Sequence, residues 1–297
     1  MQARTIKDSF GDRIFLGIIY ALLFIVLISI LYPLVYIVSA SFSSGDAIRS
    51  GRVWLLPVEP TLRGYEAIFN NPDVISGFMN TFIYTVLGTS IAVVLTIALA
   101  YPLSKNSFVG RKLIMVLLVV TMLFDGGLIP YYLTVKSYNM LDTIWAMVIP
   151  GAIGIWQVII ARTFFQMTIP DELSEASELD GCSDIRYLWS IVIPLSKPII
   201  AVLVLMYAVS HWNAYFDALI FLKSKDKFPL QLILREILIL NSVDSMTTNM
   251  EELQAKQDLS QLLKYSLIVI STGPILLFYP FIQKYFVKGM LIGSVKG

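Results

Sequence analysis

A chain of 297 residues in which 57% are hydrophobic and 14% charged lies outside the soluble globular range, where about a quarter of residues are charged. Its mean hydropathy of +0.74 places it in a bilayer, and a net charge of +1 offers no bulk field to nucleic acid or an acidic polymer. The single cysteine, Cys182, excludes an intrachain disulfide, and the single histidine excludes most His-based metal sites.

A hydrocarbon core about 30 Å thick needs roughly 20 helical residues to cross it. Apolar runs of that order occupy residues 14–40, 80–104, 113–135, 141–160, 198–222 and 267–282. The first is too long for a signal-peptide core and lacks a small-residue cleavage pattern after it, so it reads as a retained anchor. The third contains Asp125, followed by Gly126-Gly127 and Pro130. A carboxylate inside a span costs about 2.5–3.5 kcal/mol on insertion scales, so Asp125 is expected to face protein or water, and the broken backbone beyond it to border a cavity within the protein. A helix that ends early at the outer interface, with Asp125 in solvent, accounts for the same residues. Run lengths and the lack of strict alternation favour helices over a barrel. The expected fold is an all-α integral membrane protein, a single domain over residues 1–297 with six transmembrane helices.

Between the fourth and fifth runs, residues 162–197 form a polar interruption. Thr168 and Asp171 have capping-box spacing, Pro170 suits a first turn, and Gly181 can end a short helix over 173–179 in a left-handed conformation. Ser183 can cap a second helix that runs to Ile193 and stops before Pro194. Ala176 and Ser177 place small side chains on a surface ringed by Glu175, Glu178 and Asp180. That surface suits docking, although any polar loop carries caps and charges.

In the fifth run, Ser210, Asn213 and Asp217 stand at i, i+3 and i+7, on one face of a helix, with Trp212 and Phe216 on another. Such a stripe can bind hydroxyl groups beside rings that stack on a sugar, or it can hold helices together. His211 reads as a packed or interfacial histidine, and Cys182 as a small loop residue.

Lys and Arg near the ends of the runs set orientation. With the N-terminus inside, twelve cationic residues lie inside and ten outside, the ten spread over longer loops. The count leans toward both termini in the cytoplasm, with 41–79 and 223–262 facing outward. No GxxxxGK[ST] phosphate loop is present, so the chain is not expected to bind ATP in the usual manner. No His, Asp, Glu or Cys cluster has metal or nucleophile spacing, which disfavours a membrane enzyme. An ion-driven secondary transporter would need inverted repeats and charged relays, and only one buried carboxylate and no evident repeat are found.

Glu175-Ala176-Ser177, Asp180-Gly181 and the stretch from Ile191 through Pro194 to Leu195 resemble the EAA loop of permease subunits in ATP-binding-cassette importers. Ser177 replaces the usual third Ala and Cys182 the usual Ala after Gly, and both are small. The resemblance covers nearly the whole chain. Segments 55–69, 211–222 and 286–297 look like the maltose-type (MalG-like) carbohydrate importers. Segments 124–133 and 228–238 look closer to the branch with LplC-like permeases and the second permease of the alginate importer.

This resemblance implies a type I importer permease without a catalytic site, metal or bound cofactor of its own. It implies a carbohydrate substrate, an oligosaccharide or polysaccharide fragment, and a multi-pass location in the cytoplasmic (inner) membrane. The implied partners are a second permease, two ATPase subunits that bind ATP and Mg, and an extracytoplasmic solute-binding protein. Glu175, Ala176, Ser177, Asp180, Gly181 and Pro194 are the expected ATPase-coupling residues. Asp125, Ser210, Asn213 and Asp217 are the expected pathway residues. A permease for another solute class shares the EAA loop but not the tail or the 228–238 segment.

Overall fold

The computed structural model describes residues 9–243, 258–277 and 280, and all regular structure among them is helical. In chain order the helices are α1 (Phe10–Ser41), α2 (Gly45–Arg49), α3 (Arg63–Phe69), α4 (Pro72–Ser104), α5 (Arg111–Leu123), α6 (Leu128–Ser137) and α7 (Ile144–Val148). There follow α8 (Ile155–Thr168), α9 (Asp171–Leu179), α10 (Asp184–Leu195), α11 (Lys197–Trp212), α12 (Phe216–Phe221), α13 (Leu230–Val243) and α14 (Asp258–Leu277). The 286–297 tail lies outside the described residues.

Among the described residues, α1, α4 and α14 are each long and apolar enough to cross a membrane. Two bent pairs raise the total to five if each is one span: α5 with α6, bent by 116°, and α10 with α11, bent by 83°. The run at 141–160 is not one helix, because it divides into α7, an irregular stretch and the start of α8. Pro150 lacks an N–H, and Gly151 and Gly154 favour non-helical backbone, which explains the interruption. Where the sequence reading takes a single domain, packing separates two compact units: residues 1–70 with 237–270, and residues 71–236 with 271–297.

In the first unit, α1 opens on a capping box: Asp12 N–H donates to Ser9 Oγ at 3.2 Å, and Ser9 N–H to the Asp12 carboxylate at 2.9 Å. None of the most apolar stretch of α1 is buried by the other described residues. Only its C-terminal end is covered, where Ala40 packs with Ala47, Ile48, Val53 and Leu262. Ser43 Oγ donates to Ser39 O at 2.7 Å, so a side chain satisfies one of the last carbonyls of the helix. Arg52 pairs with Glu59 at 2.8 Å and with Asp46 at 2.7 Å, and Arg49 with Asp258 at 3.2 Å. Exposed pairs of this kind orient the segment more than they stabilise it.

In the second unit α4 is the spine. Asn71 caps it and Pro72 occupies its first position, where a missing N–H costs nothing. Ala92, Ile97, Ala100 and Leu103 of α4 meet Val158, Ala161 and Phe165 of α8, and Ile199, Leu203 and Tyr207 of α11. The alanines let the backbones approach, which is how helices in lipid gain packing when no water is expelled. Tyr207 Oη joins the three elements, lying 2.6 Å from Thr96 Oγ1 and accepting from Gly154 N–H at 3.0 Å. Gly88 is required by close approach, since a Cβ there would stand 2.5 Å from the ring of His211. The last carbonyls of α4 are capped by α8: Arg162 Nε donates to Leu103 O at 2.9 Å and Gln166 Nε2 to Ser104 O at 3.2 Å.

Candidate coupling loop and translocation cavity

The polar interruption folds as two short helices joined by a tight turn. Helix α9 starts at Asp171 with Pro170 as N-cap and no side-chain cap. The expected capping box is therefore absent: Thr168 Oγ1 is buried without a hydrogen-bond partner. Pro170 supplies the extended entry by itself, at φ −64° and ψ 142°. The turn forms as expected, with Gly181 at φ +71°, Gly181 N–H donating to Glu178 O at 3.0 Å, and Cys182 N–H to Ser177 O at 2.9 Å. Ser183 Oγ accepts from Arg186 N–H at 3.4 Å and so opens α10.

Helix α10 does not stop before Pro194 but continues to Leu195. Residues 188–192 take a wider π turn, in which Ile193 N–H donates to Leu188 O. The wider turn shifts the register by one residue just ahead of the proline ring.

Glu175, Ala176, Asp180, Gly181 and Pro194 are exposed. Ser177 is buried, contrary to the surface role expected for it, and its hydroxyl donates to Ser174 O at 2.8 Å. Its small size serves internal packing. Helix composition did not reveal the apolar part of this surface: Leu179 is 90% exposed, Ile185 72% and Trp189 64%. The polar loop therefore leaves three large apolar side chains uncovered among the described residues.

The break inside the third run also forms, with the helix ending early and Asp125 exposed. Helix α5 ends at Leu123, Gly127 takes φ +83°, and Asp125 accepts from Gly127 N–H at 2.8 Å. Asp125, Gly126, Gly127, Leu128, Pro130, Tyr131, Thr134, Phe216 and Asp217 enclose a cavity of about 570 Å³. Two of the four expected pathway residues thus come together from distant parts of the chain, and the other two do not join them.

The reason is the break in the fifth run. Helix α11 ends at Trp212, and Asn213 is its C-cap, donating from Nδ2 to Val209 O at 2.9 Å. Helix α12 begins at Phe216 after a non-helical break, so Ser210, Asn213 and Asp217 do not lie on one continuous helix. Asp217 has no hydrogen-bond partner among the described residues. Its helix is anchored by Asp142, whose carboxylate accepts from Lys223 N–H at 3.0 Å, Ser224 N–H at 3.1 Å and Ser224 Oγ at 2.6 Å. Asp142 itself sits at φ +57°, a conformation no hydropathy pattern marks.

Of the two aromatic lining residues, Phe216 was already noted in the sequence as a ring beside the polar stripe, whereas Tyr131 went unassigned, because aromatic residues near span ends read first as interface anchors. A second groove of about 530 Å³, between α4, α11 and Pro274, is lined mainly by Val, Leu, Phe82 and Trp212. It offers three hydroxyls and no charged or amide group, so it is the poorer place to orient a hydroxylated solute.

A family profile described as "Binding-protein-dependent transport system inner membrane component" matches residues 2–292. The chain is 43% identical over 265 residues to Protein LplC of Bacillus subtilis, covering 89% of each chain. It is 39% identical over 287 residues to the polygalacturonan/rhamnogalacturonan transport system permease protein YtcP of the same organism, covering 96% of this chain and 99% of that one. A crystal structure of a bacterial ABC transporter involved in the import of the acidic polysaccharide alginate contains a similar chain. That chain aligns with a TM-score of 0.85 at 34% identity, over 95% of this chain and all of the other.

Proposed function

The chain belongs to the family of binding-protein-dependent transport system inner membrane components, and on that premise we infer that it is a permease subunit of an ATP-driven importer. It carries oligosaccharides or polysaccharide fragments. The observation that carries this reading is the exposed α9–α10 loop, with its left-handed turn at Gly181 and its three bare apolar side chains.

The division of labour follows from what the residues can do. A second permease completes the pathway, and an extracytoplasmic binding protein delivers the sugar. Two ATPase subunits, which hold ATP and Mg, engage the loop through Glu175, Ala176, Asp180 and Gly181, with Leu179, Ile185 and Trp189 filling their surface. Closure of the ATPases pushes on α9, and α10 carries the movement into α11 across the 83° bend. Asp125 and Asp217 accept hydrogen bonds from sugar hydroxyls, and Tyr131 and Phe216 offer rings on which a sugar face stacks. Both termini and the 162–197 loop lie in the cytoplasm.

The test is transport by the assembled complex in vesicles. Uptake of labelled oligosaccharide that requires ATP and ignores proton and sodium gradients is expected. Uptake driven by an ion gradient without ATP would overturn the reading.

A further inference from the structure

The end of α4 carries a basic side chain that the transport reading leaves unused. Lys105 follows the last residue of α4 as its C-cap. Its ammonium donates to Ser174 Oγ of α9 at 2.5 Å. It also lies over two aromatic rings, 4.7 Å from the centroid of Tyr187 in α10 and 5.4 Å from that of Tyr101 in α4. The two rings stand 6.5 Å apart and tilted by 41°, and both are buried. One cation therefore touches all three helices that meet at the base of the loop. It forms no ion pair among the described residues, so its charge is balanced by ring faces and a hydroxyl, which are strongly orienting partners.

We propose that Lys105 is a positioning residue that couples the loop helix α9 to the membrane spine α4. The proposal rests on the reading of α9 as the element that ATPase subunits push. The spine does not need Lys105 for its own attachment, because Arg162 and Gln166 of α8 already cap its final carbonyls. The extra reach of Lys105 goes to the loop helices, to Ser174 of α9 and the ring of Tyr187 in α10. The neighbouring link is longer and lies at the surface, with Asn106 Nδ2 donating to Asp171 Oδ2 at 3.3 Å. Movement of α9 reaches α4 through Ser174, Lys105 and the ring of Tyr101. The same charge holds Tyr187 against the spine, so α9 and α10 move with α4 and not past it.

The test uses the complete importer in vesicles and measures ATP hydrolysed per sugar taken up. Lys105→Met keeps the aliphatic stem and removes the charge. It should leave ATPase subunits bound and raise ATP consumed per sugar by roughly threefold or more, the scale on which single residues along a packed link alter coupling. Lys105→Arg, which keeps a cation that stacks on rings, should recover much of the ratio. Ser174→Ala removes only the hydroxyl, so it should shift the ratio in the same direction, and adding it to Lys105→Met should change little further.

An unchanged ratio in assembled Lys105→Met complexes overturns the proposal. So does loss of assembly in Lys105→Met combined with a normal ratio in Ser174→Ala, because the residue would then serve folding alone. Failure of the unaltered chain to engage any ATPase subunit would instead remove the importer reading on which the proposal stands.

Discussion

At Gly181 the chain needs a positive φ, and a Cβ there would meet nothing within 4 Å among the described residues. Substitution is therefore resisted by backbone strain, about 1–2 kcal/mol for a residue with a side chain, and by whatever docks outside. Those two effects separate by choice of residue. Asn tolerates the left-handed region and Leu does not, so Gly181→Asn should keep most uptake while Gly181→Leu loses it at equal membrane abundance. Equal uptake by both variants would deny the turn a role in docking.

A second residue-scale expectation concerns Glu59, outside the apolar runs. Its carboxylate accepts from Ser44 Oγ at 2.6 Å and pairs with Arg52, and these bonds, the Ser44 bond first, hold its pKa below the ordinary glutamate value. A carboxylate with a depressed folded pKa contributes stability above its unfolded pKa of about 4.3 and loses it as pH falls through the folded value. The purified protein should accordingly be more stable than Glu59→Gln at pH 7 and indistinguishable from it at the acid end. Melting curves across that interval decide the point. The turn at Gly181 was legible because glycine after a short helix has few other uses. Glu59, at φ +51°, was not, since its conformation comes from partners on both sides of a loop.

On the scale of helices, what hydropathy reveals is length and apolarity, and it is silent on axis direction. The breaks at Pro150–Gly154 and at Asn213 lie between apolar stretches, so each pair of helices reads as one span. The break beside Asp125 was legible because a charge, two glycines and a proline coincide there. The cavity shared by Asp125 and Asp217 was not, because it depends on α12 starting afresh after α11, with Asp142 holding its far end.

This geometry replaces the one-face stripe with a different expectation. Asp125→Ala and Asp217→Ala should each raise the sugar concentration that half-stimulates ATP hydrolysis by roughly tenfold, the scale of one lost hydrogen bond to a charged group. Ser210→Ala and Asn213→Ala should leave it nearly unchanged. The double variant of the two aspartates should fall short of the product of the single effects, because both line one cavity. A shift with Asn213 equal to that with Asp217 would return the route to α11.

For the molecule as a whole, the governing constraint is that the most apolar stretch of the 32-residue helix α1 finds no cover among the described residues. A helix of that length and apolarity suits lipid, which makes membrane insertion a condition of the fold and not an addition to it. Composition alone made that legible, whereas the direction of insertion was barely so, since cationic residues divide twelve to ten. Direction can be read chemically, because Cys182 is the only thiol. In a Cys182→Ser background, single cysteines at Leu56, which is 76% exposed in the segment after α1, and at Phe108, in the turn after α4, lie on opposite sides in the proposed orientation. Right-side-out vesicles treated with an impermeant thiol reagent should label the cysteine at 56 and spare the one at 108, with both labelled once the membrane is dissolved. A third cysteine at 245, outside the described residues, should behave like that at 56. Labelling at 108 alone would place the α9–α10 loop outside, where no ATP is hydrolysed, and the coupling role of Gly181 and Lys105 would fall with it.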